Sequence, residues 1–206
     1  HGRVYRVTYP GRPLVTPAKI HGADIATLLN NLMLPEYRTR YRTRRELRGR
    51  DKHEVTNAIE AWLPTLQGTS EQIEQAKLEA LWVTAGQNHI HTPLLKEVLK
   101  SSNAKIRAAA THVIRFNTHA LPEAASLLAD MAKDENTRVK LMTINAASFL
   151  EKAQGEPIAN AALPPEKDPY IQQAHAMAIA QFNKSYPKLP RKGAITSHLK
   201  GKAFEE

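Results

Sequence analysis

The chain has no cysteine among its 206 residues. Disulfides, thiolate catalysis, cysteine-ligated zinc or iron–sulfur, and haem attached through a CxxCH motif are therefore excluded within it. Aromatic residues make up only 6%, too few for the strand-rich chemistry of a sandwich or barrel, while Ala and Leu abound. No apolar run reaches the roughly 18 to 20 residues that cross a bilayer, and no charged-then-apolar leader opens the chain, so no membrane insertion is expected. The 9 glycines are scattered and form no phosphate-binding loop, dinucleotide fingerprint or nucleophile elbow. The first residue is His1 rather than Met, as expected of a processed form or a piece of a longer protein.

What the chain does have is positive charge in particular places. Its formal net charge is +9 and its isoelectric point about 9.8. Residues 38–50 alone hold seven arginines against one glutamate, residues 184–206 carry a net +4, and residues 51–183 are net acidic at −3. An anionic contact therefore has to be sought locally, on one element, and not over the whole surface.

The opening "GRVYRVTYPGRP" alternates, with Val4, Arg6 and Thr8 on one side and Tyr5, Val7 and Tyr9 on the other, until Pro10 and Gly11 interrupt it. The pattern predicts a short β-strand. A lone strand cannot satisfy its own backbone, so the sheet it would join is expected to lie outside this chain. Residues 1–20 are accordingly expected to be a strand and linker.

From Asp24 the period becomes helical, and self-similarity at a longer spacing emerges. Thr39, Ile73, Ile106, Val139 and Ile171 stand at intervals of 34, 33, 33 and 32. Three positions before them lie Glu36, Ser70, Asn103, Asn136 and Asp168, mostly residues that cap helix N-termini. Offsets of three and eight after the column predict an apolar stripe on each helix. The residue after the column is Arg40, Arg107, Lys140 or Gln172, with Glu74 departing in the second unit.

Each of these helices follows a shorter one: Ile25–Met33; Val55–Leu66; Leu94–Leu99, capped by Thr92 with Pro93 at the first helical position; Ala124–Met131; and Ile158–Ala162 after Pro157. One pair cannot bury its stripe alone, so stacking is required. The expected fold is all-α, an α-α superhelix (right-handed HEAT-like solenoid, about five helix pairs) over residues 21–183, followed by a flexible basic tail at 184–206.

The stretches "GRVYRVTYPGRPLV", "RYRTRRELRGRD" and "LEALWVTAG", in that order, resemble the junction of bacterial multidomain membrane-bound dehydrogenases. In these, a sugar or sorbosone dehydrogenase-like β-propeller precedes HEAT repeats and a c-type cytochrome domain. The resemblance implies that residues 1–20 are the end of the preceding propeller-like domain and that the chain is a scaffold or spacer between redox modules, outside the cytoplasm or in the periplasm, with the quinone-type cofactor in the propeller and the haem in the cytochrome. No cofactor is expected in this chain, because neither site maps onto any of its residues.

The candidate partner-binding residues are Arg38, Arg40, Arg42, Arg44, Arg45 and Arg48. A helix from Glu36 sets Arg38, Arg42 and Arg45 on one flank and Arg40, Arg44 and Arg48 on another. Some are expected to pair with acids such as Glu36, Glu46 and Asp51, leaving a patch for protein domains. The alternative is a nucleic-acid-binding module using Arg38 to Arg50, disfavoured because the later helices do not continue the basic track. His89 and His91 flank Ile90 and invite a metal reading, but no third ligand stands nearby, so loop histidines are expected. Glu71, Glu74, Glu79, Asp134 and Glu135 are expected to be solvated, and Trp62, Trp82 and Phe116 to be core. No catalytic constellation and no metal site emerges, and the expected activity is non-enzymatic.

Overall fold

The computed structural model describes residues 2–7, 9–165 and 168–183. Among them are ten α-helices and one 3₁₀ turn, an all-α chain: α1 (Ile25–Asn31), α2 (Tyr37–Arg48), α3 (Lys52–Trp62) followed by the 3₁₀ turn Leu63–Thr65, α4 (Ser70–Gly86), α5 (Thr92–Val98), α6 (Ala104–Asn117), α7 (Ala124–Met131), α8 (Thr137–Ala147), α9 (Lys152–Ala162) and α10 (Pro169–Asn183). The chain divides after His89 into two compact units, the first holding α1–α4 and the second α5–α10. The basic tail expected at 184–206 lies outside the described residues.

The helices begin where short polar side chains can accept orphan backbone N–H groups. Asp24 accepts from Thr27, Asp51 from His53 and Glu54, Asn103 from Lys105, Asn136 from Arg138, and Asp168 from Tyr170 and Ile171. Two expected caps are corrected. In the second repeat the cap is Thr69, not Ser70, and it forms a reciprocal capping box with Gln72. At α5 the cap is His91, whose Nδ1 accepts from the Leu94 N–H at 3.1 Å, so Thr92 and Pro93 fall inside the helix. Glu36 holds the cap position of α2 but spends its carboxylate on the Thr39 hydroxyl, at 2.8 Å.

Within each unit, first helices stack on first helices and second on second: α1 meets α3 and α2 meets α4 in the first; α7 meets α9, and α8 packs against both α6 and α10, in the second. This is how paired helices bury stripes that neither could hide alone. The buried stripe follows the column at Ile106, Val139 and Ile171, with Thr39 and Ile73 only half-buried, and the offset of eight at Leu47, Leu81, Ile114 and Ala147. The offset of three holds at Ala76 but not elsewhere: Arg42 is exposed, Ala109 and Met142 are half-buried, and burial falls one or two residues later, at Thr43, Thr111, Thr143 and Ile144. The buried threonines Thr111 and Thr143 return their hydroxyl protons to the carbonyls of Arg107 and Val139.

Helix α9 begins at Lys152, earlier than expected, and carries Pro157 inside it. Gly155 explains its close seat. A β-carbon there would lie within van der Waals radii of the Ala147 carbonyl oxygen and 2.6 Å from Phe182 Cζ, so only glycine lets α9 touch both α8 and α10.

No strand forms among the described residues. Residues 2–7 are irregular chain with Val4, Tyr5 and Val7 exposed. The alternation that predicts a strand is present, but a strand needs a partner ladder, and none of the described residues supplies one.

Candidate docking surface on the second helix

Helix α2 sorts its arginines into two groups. Its buried edge is Thr43 and Leu47, which faces α4 and thereby brings Arg40 and Arg44 against Glu79. The Glu79 side chain is fully buried and those of Arg40 and Arg44 are 15% exposed. Arg40 Nε donates to Glu79 Oε1 at 2.9 Å, Arg44 donates to Oε2, and Gln75 Nε2 adds a third donor at 3.1 Å. A carboxylate this deep is tolerated because three donors meet it, two of them cationic.

The other end of Arg40 holds backbone. Its second nitrogen donates to the carbonyls of Leu34 and Pro35, both at 2.7 Å, closing the turn that precedes α2. The Arg44 guanidinium lies 5.0 Å from the Trp82 ring centre, 5.8 Å from Tyr37 and 6.0 Å from Tyr41, so it is stacked as well as paired. Arg50, just past the helix, donates to the Ala23 carbonyl and to Glu46. Its hydrogen bond holds the Glu46 carboxyl below the usual carboxylate range.

What remains is Arg38, Arg42, Arg45 and Arg48, spaced four, three and three residues apart and all exposed. Arg38, Arg42 and Arg45 share a flank as expected, whereas Arg48, expected with Arg40 and Arg44, is exposed instead of joining them on Glu79; none of the four exposed arginines takes part in an ion pair among the described residues. The exposed rings of Tyr37 and Tyr41 stack beside these arginines with centres 6.4 Å apart. Of the six candidate residues, then, four are available to a partner and two are fastened inside the unit.

Several expectations about individual residues are corrected here. Glu79 is not a solvated carboxylate, and neither is Asp134, whose side chain is 7% exposed. Arg107 grips Asp134 through Nε at 2.7 Å and NH2 at 3.0 Å. Burial pushes the Asp134 carboxyl up, but the Arg107 fork and the Asn136 N–H outweigh it and hold it below the usual range. Trp62 is buried, with its indole N–H on Asn30, whereas Trp82 is half-buried under Arg44 and Phe116 is 61% exposed.

The H-x-H pair is split between roles. His91 caps α5, while the His89 ring lies 6.2 Å from that of His53. His175 shares a hydrogen bond with Asn160. Among the described residues no group of three His, Asp or Glu is placed to hold a metal ion, and no helix is long and apolar enough to cross a membrane.

No protein-family model, curated protein or solved structure matches the chain. Its site is therefore read from its own geometry.

Proposed function

We propose that the chain is a non-catalytic helical-repeat scaffold that docks an acidic surface of a partner protein or neighbouring domain through the exposed ridge Arg38, Arg42, Arg45 and Arg48. The observation that carries this reading is the division of labour on α2: Arg40 and Arg44 are consumed by Glu79, while four exposed arginines of the same helix have no acid of their own. Guanidinium groups suit such contacts because their planar forks meet carboxylates two bonds at a time. The resemblance to the dehydrogenase junction makes the neighbouring redox modules the first partners to try, in an extracytoplasmic setting, with any cofactor belonging to them.

One comparison tests it. The chain and a variant with Arg38, Arg42, Arg45 and Arg48 replaced by Ser are passed over an acidic protein surface and over a random DNA duplex across a salt series. A scaffold of this kind binds the acidic protein with a modest salt dependence that the variant loses. Four phosphate contacts would instead give a slope of log affinity on log salt of roughly −3 to −4, with duplex preferred. That outcome would replace the protein-docking reading with nucleic-acid binding, and indifference to the four substitutions would remove both.

A further inference from the structure

Arg115, near the end of α6, is a cation that the fold has partly desolvated and left without a counter-charge. Its Nε is sealed from solvent and donates to nothing, and no ion pair reaches it among the described residues. Its guanidinium lies 4.8 Å from the Phe149 ring centre and 5.3 Å from that of Phe116. Both rings are substantially exposed, so the stack is presented outward and not packed into the core.

Beside it runs a groove of about 290 Å³ between the end of α8 and the face of α10, lined by Asn145, Phe149, Tyr170, Gln173 and Met177 among others, and containing no acidic residue. Tyr170 is 77% and Met177 66% exposed. The side-chain amides of Asn145 and Gln173 carry no hydrogen bond among the described residues. Apolar surface, free amides and one unmatched cation thus converge on a single trough within the second unit.

We propose that this groove docks a peptide segment of a partner protein in which an aspartate or glutamate stands next to an aromatic or aliphatic residue. The carboxylate pairs with the free edge of Arg115, which the two phenylalanine rings hold in place. The neighbouring apolar side chain lies over Phe149, Tyr170 and Met177, and the amides of Asn145 and Gln173 meet the peptide backbone. Charge complementarity selects this occupant. A single cation matches a single carboxylate, whereas a nucleic-acid strand brings one negative charge per nucleotide and calls for a row of cations. The groove lies in the other unit from the α2 ridge, so the proposal stands whether or not that ridge docks a partner.

The test is an NMR titration of the full chain with an acetylated, amidated hexapeptide alternating glutamate with phenylalanine, beside the same peptide with lysine for glutamate and a single-stranded oligothymidylate. The acidic peptide is expected to shift the amides of Asn145, Phe149, Gln173 and Met177, and the lysine peptide to leave them unmoved. Arg115→Gln should weaken the acidic peptide about tenfold or more, the loss of one charge-assisted pair. Because Arg115 is partly buried, Met177→Glu provides a second reading at an exposed position and should weaken it comparably without altering the fold. No shift with the acidic peptide, equal binding of the lysine peptide, or insensitivity to both substitutions overturns the proposal. So does binding that is lost instead when Arg38, Arg42, Arg45 and Arg48 are replaced, or an oligothymidylate that alone occupies the groove.

Discussion

Arg40 in the first unit and Arg107 in the second stand two repeats apart and do the same thing with different partners. Each donates to the carbonyls six and five residues before it, Leu34 and Pro35 in one case and Ser101 and Ser102 in the other. Each then turns its remaining edge to a buried carboxylate from the following repeat. The arginine therefore ties the turn before its own helix to the next helix pair, and one residue type at one repeat position fixes two joints at once. The partners differ. Glu79 is on a helix, completely buried, and shared by Arg40, Arg44 and Gln75. Asp134 is in a turn, with the Arg107 fork and the Asn136 N–H as its donors.

That contrast makes opposite predictions for acid and base. The largest effect belongs to Glu79. Glu79→Ala strands two nearly buried guanidinium groups and should cost about 3–5 kcal/mol, visible as loss of hydrogen-exchange protection at Leu47 and Leu81 in the first unit. A loss below about 1 kcal/mol would mean that water reaches the site and the cluster is not the joint described. For the arginines the ranking reverses. Arg107→Ala deprives Asp134 of its hydrogen-bonded cation, leaving only the more distant Lys140 charge, and should cost about 2–4 kcal/mol, whereas Arg40→Ala leaves Arg44 on Glu79 and should cost less. Equal losses at Arg40 and Arg107 in urea unfolding would break the comparison.

Acid separates the units as well. In the second unit, burial and then the Arg115 charge hold the His112 imidazole below its ordinary 6.5. A histidine depressed in the folded state contributes stability that is fully present above the unfolded value and falls as pH drops below about 6.5. Asp134 follows with the same sign, its contribution being lost as pH falls through and below 3.8. The shifted groups of the first unit, Asp24, Glu46 and Asp51, are carboxylates with ordinary values of 3.8, 4.5 and 3.8, all lowered. Acid should therefore begin to loosen the second unit at a higher pH than the first, and His112→Gln should abolish that early part in a pH series of exchange protection.

How much of this was legible beforehand depends on what each feature needs. Helix starts need only a short polar side chain at the right place, so the spacing near 33 located Asn103, Asn136 and Asp168 from the chain alone. The clamp needs a partner that sequence distance hides. Arg40 and Arg107 were visible as a recurring residue after the column, but Glu79 lies between the buried Leu78 and Ala80 in a stretch of α4 hidden on most sides. With little polar face to contrast against, periodicity cannot tell a buried glutamate from a solvated one. Phe116 misled in the opposite direction: it sits in the last turn of α6, where the stripe has already passed its neighbours and the ring meets solvent. The N-terminal alternation was real, yet alternation describes side-chain direction and not the existence of a partner strand.

The smallest expected effect sharpens the comparison most. Arg38, Arg42, Arg45 and Arg48 lie on the same helix as Arg40 and Arg44, are identical to them in type, and differ in having no acid to hold. Surface substitutions away from caps, cores and networks change stability by no more than about 0.5 kcal/mol each. Replacing the four together removes mutual repulsion along one face, since like charges three and four residues apart oppose the helix by about 0.2–0.5 kcal/mol per pair. The fourfold Ser variant should therefore unfold in urea at nearly the same midpoint as the parent, Ser's weaker helix propensity being offset by the relieved repulsion. A fall as large as that of Glu79→Ala would show that the ridge belongs to the interior economy of the first unit, and that α2 has no free face to offer a partner.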